Sequence, residues 1–320
     1  MTPERKDRRG DEPCPACGGE LRPWLSGIPG GDPDDPIRYA LARCTSCGSA
    51  VTLGAPPAPD AYATGIYHPG RPRAGPLVAL IQRTLDAQPA AILRRAGVPR
   101  SGRVLDVGAG KGRLVASLRR AGFDASGIEP SLRSLSVAQS AGREVIAGRI
   151  EELAASDLDA VVLWHVLEHL DDPLVGLRRV RASLGRDGVA LVAVPNLGSW
   201  QAAIAGRSWL HLDLPRHRVH FSVAGLDALL ANAGLRRERA VQMVCEHNPA
   251  AMWMALSNRL GLGSPNLLFH LIKRTVPPSP LRIIELLASL PLAPAALAFE
   301  TLAAAARRGG TVAVVARRAT

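Results

Sequence analysis

"VLDVGAGKG", residues 104–112, decides the fold. An apolar run reaches Asp106, then turns through Gly108, Gly110 and Gly112 into the helical pattern "GRLVASLRRAG", closed by Gly122. Glycines between a strand and a helix let the backbone approach a ligand closely, and the helix N-terminus adds partial positive charge. The next strand, "DASGIEP", ends on Glu129, 21 residues after Gly108. An acidic side chain at that tip can bind both ribose hydroxyls of a nucleoside. Glycines alone would signal only a tight turn; with the acidic tip they point to a nucleoside ligand.

Outward from this unit the chain alternates strand-like and helix-like segments, which predicts a mainly parallel sheet. "SLRSLSVAQSAG" is a helix from Ser131 to Gly142, and "REVIAG" and "LDAVVLWH" are strands. "DPLVGLRRVRASLG" is a helix with proline in its first turn, followed by the strand "GVALVAVPN". "SVAGLDALLANAG" is a helix capped by Ser222 and closed by Gly234. "GGTVAVVARR" leads into a last strand, expected antiparallel beside the one near 238–245, with Leu/Ala-rich helices over about 250–306 inserted between them.

The 320 residues suffice for one large α/β domain and a small satellite. Hydrophobic residues make up 47% but aromatics only 4%, so Leu, Ala and Val fill the core. The formal charge of +11 favours anionic partners without choosing among phosphates, nucleic acid and acidic lipid. The N-terminus has no apolar stretch after its charges, and the apolar region 283–306 is broken by Glu285, Pro291, Pro294 and Glu300. A cytoplasmic chain with reduced cysteines is expected. Four of its five cysteines form the pairs Cys14-x2-Cys17 and Cys44-x2-Cys47, each followed by glycine. Such knuckles can supply four thiolates to one tetrahedral Zn²⁺, which then has no open position and serves structure alone. Cys245 reads as a small buried apolar residue.

The pattern D-x-G-x-G-x-G differs from the dinucleotide fingerprint and resembles the first motif of class I S-adenosylmethionine-dependent methyltransferases. The resemblance implies a Rossmann-like, seven-stranded, mostly parallel sheet with a terminal antiparallel strand. Beside it stand a small N-terminal zinc ribbon and a helical insertion before the last strand. It implies S-adenosylmethionine as cofactor, held by Asp106, Gly108, Gly110, Gly112 and Glu129. "GIEPS" resembles the family's ribose-binding turn and adds Pro130. "GRIEEL" (148–153) matches the segment that frames the adenine and adds Ile150 and Glu151, although Arg149 stands where an acid is common. "LWHVLEHLDDP" is similar to the motif after the fourth strand in the quinone and small-molecule O-methyltransferase branch. It adds His165, where quinone methyltransferases carry Glu.

That branch also carries a "P-R-H-x-x-H-F" element, present here as Pro215, Arg216, His217, His220 and Phe221. Methyl transfer to a hydroxyl needs in-line positioning and a base near neutral pKa, a task that suits histidine. His217 and His220, on a loop after a strand, are the first candidates, and His169 the third; the alternatives are helix capping and loop packing, or a divalent ion at these histidines or at His165-x2-Glu168-His169. The reaction expected is methylation of a small-molecule or lipid-linked acceptor, with RNA base methylation as the rival. Against nucleic acid, no Asn-Pro-Pro-Tyr-like element follows the fourth strand, and the basic residues are not interleaved with stacking aromatics. A zinc adaptor with a vestigial domain is disfavoured by the intact glycine and acidic positions. The insertion, with a net charge of +4 over 251–310, suits core packing, a lid, or peripheral contact with an anionic membrane. The expected division is a ribbon module over 1–55, a linker with capping helices over 56–99, and the methyltransferase domain over 100–320. Oligomeric state has no signature in the sequence.

Overall fold

The computed structural model describes residues 10–57 and 82–319. In chain order its strands are β1 (Leu21–Pro29), β2 (Arg38–Cys44), β3 (Ala50–Thr52), β4 (Arg103–Val107), β5 (Asp124–Glu129) and β6 (Val145–Ala147). They continue with β7 (Leu158–Trp164), β8 (Leu184–Pro195), β9 (Val219–His220), β10 (Leu235–Val241) and β11 (Thr311–Arg318). The chain divides into two compact units. One comprises Ala74–Val194, Leu226–Val241 and Ala313–Thr320; the other comprises Met1–Arg73, Pro195–Gly225 and Gln242–Val312.

The first unit is built on a sheet of order β10-β11-β8-β7-β4-β5-β6. β6, β5, β4, β7 and β8 pair parallel, while β11 runs antiparallel to β10 with Leu235 opposite Arg318. The central strands read as unbroken apolar runs because both faces are covered; Ala160–Leu163 and Ala190–Val194 are fully buried. The expected sheet and its antiparallel last strand are therefore both present. Two of its helices start at capping side chains. Ser131 Oγ accepts from Ser134 N ahead of Leu132–Ser140, and Asp172 Oδ1 accepts from Val175 N at 3.0 Å ahead of Pro173–Ser183. Part of the expected 56–99 linker, residues 58–81, lies outside the described residues; within the rest stands the helix Gln88–Arg95.

The second unit holds a four-stranded sheet of order β1-β2-β3-β9. β9 lies antiparallel to β3, placing His220 opposite Ala50 and Val219 opposite Val51. The stretch expected as a loop is thus partly strand. β3 offers an edge, and an apolar Val219 fills it beside the core of Ile28, Leu41, Ala50, Leu197, Trp209, Leu212 and Leu214. Thr52 Oγ1 donates to the His217 carbonyl at 2.6 Å, and Thr52 N donates to the Arg218 carbonyl at 3.1 Å. Two arginines are buried there, one held by carboxylates and one by backbone carbonyls. Arg216 donates from Nε and Nη2 to Asp213 Oδ1 (3.0 and 2.6 Å) and from Nη1 to Asp32 Oδ2 (2.6 Å). Arg218 donates to the carbonyls of Gly54 and Ala55. The insertion forms helices Asn248–Arg259, Leu267–Lys273, Pro280–Ser289 and Leu292–Ala305. The last is tied down by fully buried Glu300, which accepts from Gln201 Nε2, Asn248 Nδ2 and Gly310 N.

Removing one partner of a buried ion pair leaves the others uncompensated. Arg216→Gln should therefore lower unfolding free energy by about 3 kcal/mol in urea titration, whereas the exposed Arg22→Gln, paired only with Glu20, should leave it within about 0.5 kcal/mol.

Candidate cofactor cradle and metal centre

Parallel pairing puts the carboxyl ends of β4, β5, β6 and β7 on one edge of the sheet, where open α/β folds bind their ligands. Asp106 lies in β4 just before that edge, and Glu129 is the last residue of β5. Ile150–Glu152 form a turn of 3₁₀ helix after β6, and His165 follows β7. Between β4 and the helix Arg113–Arg120 the chain turns through Gly108, Gly110 and Gly112, at φ of 70°, 54° and 70°. Those left-handed angles need glycine. A methyl group on Gly108 would strike Val166 Cγ2 at 2.7 Å, so the turn after β7 packs against the glycine loop. A methyl group on Gly110 would meet nothing within 4 Å, so that side of the loop is open.

Glu129 closes the loop from the other side. Its Oε2 accepts from Gly110 N at 2.7 Å and its Oε1 from Ser131 N at 2.8 Å, in a site where the residue is 7% exposed. Burial raises its pKa, and those two N–H donors oppose the rise. Asp106 is more deeply buried, and its pKa is pushed well up by desolvation first and by the Glu129 charge second. An open-sided backbone turn flanked by a fixed carboxylate suits a nucleoside with ribose hydroxyls, so the residues fit S-adenosylmethionine. The structure brings Asp106, the three glycines and Glu129 together. Pro130 is exposed beside them, Ile150 is buried, and Glu151 pairs with Arg149 at 3.6 Å. His165 takes a left-handed φ of 57°, with Nδ1 at 3.1 Å from the buried Glu168 Oε1. His169 is half-buried at the end of the same turn. The H-x2-E spacing marked in the sequence thus brings the Glu168 carboxylate onto the His165 imidazole.

In the other unit the two knuckles are built alike. Gly18 N donates to Cys14 O and Gly48 N to Cys44 O, with both glycines left-handed. All four Sγ atoms lie within 4.8 Å of one another, with Cys14–Cys47 at 3.8 Å and Cys17–Cys44 at 3.5 Å. Zn–S bonds of about 2.3 Å in a tetrahedron set sulfur separations of about 3.8 Å. The set fits zinc, and the sulfurs are too far apart for disulfides. Hydrogen bonding between Cys14 and Cys47 pulls the Cys47 thiol down and pushes Cys14 up, which favours the thiolate form at Cys47. Cys245, expected buried, is exposed, because it falls in the polar stretch ahead of the helix Asn248–Arg259 rather than in a strand.

His217 and His220 sit in this second unit and are buried. His217 Nδ1 is 2.8 Å from the His211 carbonyl, which can only accept, so Nδ1 carries a proton, and Nε2 lies 3.8 Å from Asp213 Oδ2. His220 Nε2 meets Thr52 Oγ1 at 3.0 Å; because that hydroxyl donates to His217 O, His220 must be the donor.

Residues 81–239 match the family described as Methyltransferase domain. The chain is 33% identical over 177 residues to a ubiquinone biosynthesis O-methyltransferase of Bordetella avium, covering 51% of this chain and 73% of that one. It is also 33% identical over 156 residues to the enzyme of the same description from Azorhizobium caulinodans, covering 44% of this chain. There it spans 62% of the relative's length. A Galdieria sulphuraria structure described as a sarcosine dimethylglycine methyltransferase shares the fold at 16% identity and a TM-score of 0.51, over 76% of this chain and 88% of that one. The fold and the site define a class I methyltransferase domain. This chain belongs to the S-adenosylmethionine-dependent methyltransferase family.

Two measurements test the site. Elemental analysis of freshly reduced protein should give one zinc per chain; Cys17→Ser should lower that stoichiometry and loosen the ribbon, seen as faster proteolysis near Cys44. The second concerns Asp106. Its raised native pKa means that ionisation costs the fold stability as pH rises through the carboxylate range. Asp106→Asn should therefore stabilise the protein near pH 7, and the gain should vanish below about pH 3, where the carboxyl is protonated in both states.

Proposed function

We propose that this chain transfers a methyl group from S-adenosylmethionine to an oxygen of a small-molecule or lipid-linked acceptor. The observation that carries this reading is the Glu129 carboxylate, held by Gly110 N and Ser131 N beside the open glycine turn. When bound, the sulfonium supplies an activated methyl group, so the protein's task is orientation. Glu129 would take the ribose hydroxyls, and the loop Gly108–Gly112 would admit the ligand against its backbone, with Asp106 beneath it. Pro130 shapes the ribose turn, Ile150 and Glu151 border the adenine, and His165 is fixed by Glu168 next to the loop. The acceptor's proton goes to a histidine. His217, oriented by the His211 carbonyl through Nδ1, is the first candidate, and His220 holds its strand in place. His169 is the candidate within the cradle's own unit. Cys14, Cys17, Cys44 and Cys47 hold zinc as a structural ion. The acceptor class is supported by the ubiquinone O-methyltransferase relatives, all enzymes that methylate oxygen by description.

Calorimetry should give micromolar S-adenosylmethionine binding, weakened by about 1.5–3 kcal/mol in Glu129→Ala, the range for charge-assisted hydrogen bonds. His217→Ala should cut turnover by about 10²-fold or more while leaving that affinity within a few-fold. An absence of heat with S-adenosylmethionine, alongside clear NAD binding, would overturn the reading. Turnover unaffected in His217→Ala and His220→Ala would move the base to His169.

A further inference from the structure

The helices Pro280–Ser289 and Leu292–Ala305 present their apolar side outward. Leu281, Ile284, Leu287, Leu297 and Leu302 are each more than half exposed, and Phe299 is 44% exposed. In the first helix the positions recur every three residues as one stripe, and in the second they spread over the whole side opposite Ala296, Glu300 and Ala303. The side turned to the protein is made of small and polar residues: Ser289, Ala296, Glu300 and Ala303 are the buried ones. A water-soluble surface helix has the reverse arrangement. Across the two helices the charges are Arg282, which donates to the Pro277 carbonyl, Glu285, which is half-buried, and Glu300, which is fully buried. Basic residues bracket the stripe, with Lys273 and Arg274 before it and the exposed Arg307 and Arg308 after it.

We propose that this face docks in the plane of an anionic lipid surface, with the apolar stripe in the acyl boundary and the basic ends at the headgroups. Among the described residues no single helix is long and apolar enough to cross a membrane; this pair passes the test of length and composition together, but bends by 50° at its junction. Glu300 is pinned by Gln201, Asn248 and Gly310, so one side of the pair stays committed to protein, as in-plane insertion requires. Sign selects lipid over a second copy of the chain. Both ends of the stripe are basic, so two copies would bring like charges together in either direction, whereas an anionic bilayer complements both ends. An apolar patch of this extent marks an interaction site rather than ordinary surface. The proposal is independent of the methyl-transfer reading.

Flotation of the full chain with phosphatidylcholine vesicles, with and without phosphatidylglycerol, tests it without any turnover. Recovery with the phosphatidylglycerol vesicles is expected, and should fall by more than about tenfold in Leu287→Glu/Leu297→Glu, since each side chain gives up burial in the acyl region. Arg307→Glu/Arg308→Glu should remove the preference for anionic vesicles while some binding persists. Unchanged zinc content and melting temperature certify each variant; should a Glu variant fail to fold, Leu297→Ser and Leu302→Ser carry the same expectation. Absence of the wild-type chain from the floated fraction would overturn the proposal. So would a dimer in light scattering that Leu297→Glu splits, because that assigns the face to a second copy.

Discussion

A parallel sheet satisfies the backbone of its inner strands but leaves their carboxyl ends unfinished, and the chain must leave each end without stranding a buried polar group. At β4 and β5 Gly108 N and Ala109 N donate to the Ile128 carbonyl, and the Glu129 carboxylate accepts from Gly110 N across the gap between the two strand ends. This last bond fixes the glycine turn and the acidic tip relative to each other. It does so with a buried carboxylate lying near the still more deeply buried Asp106, an arrangement that costs stability. Strain of this kind is expected where a site is shaped for a ligand rather than for the fold.

Much of this was legible in the residues. Unbroken apolar runs such as "AVVLW" announced strands buried on both faces, and the spacing of glycines and Glu129 marked the ligand edge. Paired Cys-x2-Cys knuckles suffice to bring four sulfurs together, because each turn is local and glycine permits its geometry. What could not be read was pairing over distance. Nothing local in "PRHRVHF" says that Val219 and His220 will join β3, since the choice depends on an edge set some 170 positions earlier. Arg216 and Arg218 were equally opaque. A basic pair reads as surface until Asp32, Asp213 and two carbonyls are seen around it.

The insertion shows the opposite limit. Its helices were legible, but their orientation was not, because Leu-rich and Ala-rich faces satisfy the same periodicity. Glu300 is the residue that breaks the tie. A carboxylate in an Ala-rich helix must find donors, and Gln201, Asn248 and Gly310 supply them on one side only. That choice turns the small residues inward and the leucines out.

The sheet β1-β2-β3-β9 also carries a consequence for how the chain is made. Three of its strands and all four cysteines of the cluster emerge from the ribosome early, while the fourth strand follows much later; the bond between Thr52 and His217 spans 165 positions. Long-range closure of that kind is slow and leaves an edge exposed in the meantime. A metal captured by the first fifty residues would let the nascent ribbon hold its shape during translation, keeping β3 ready as a template until β9 arrives.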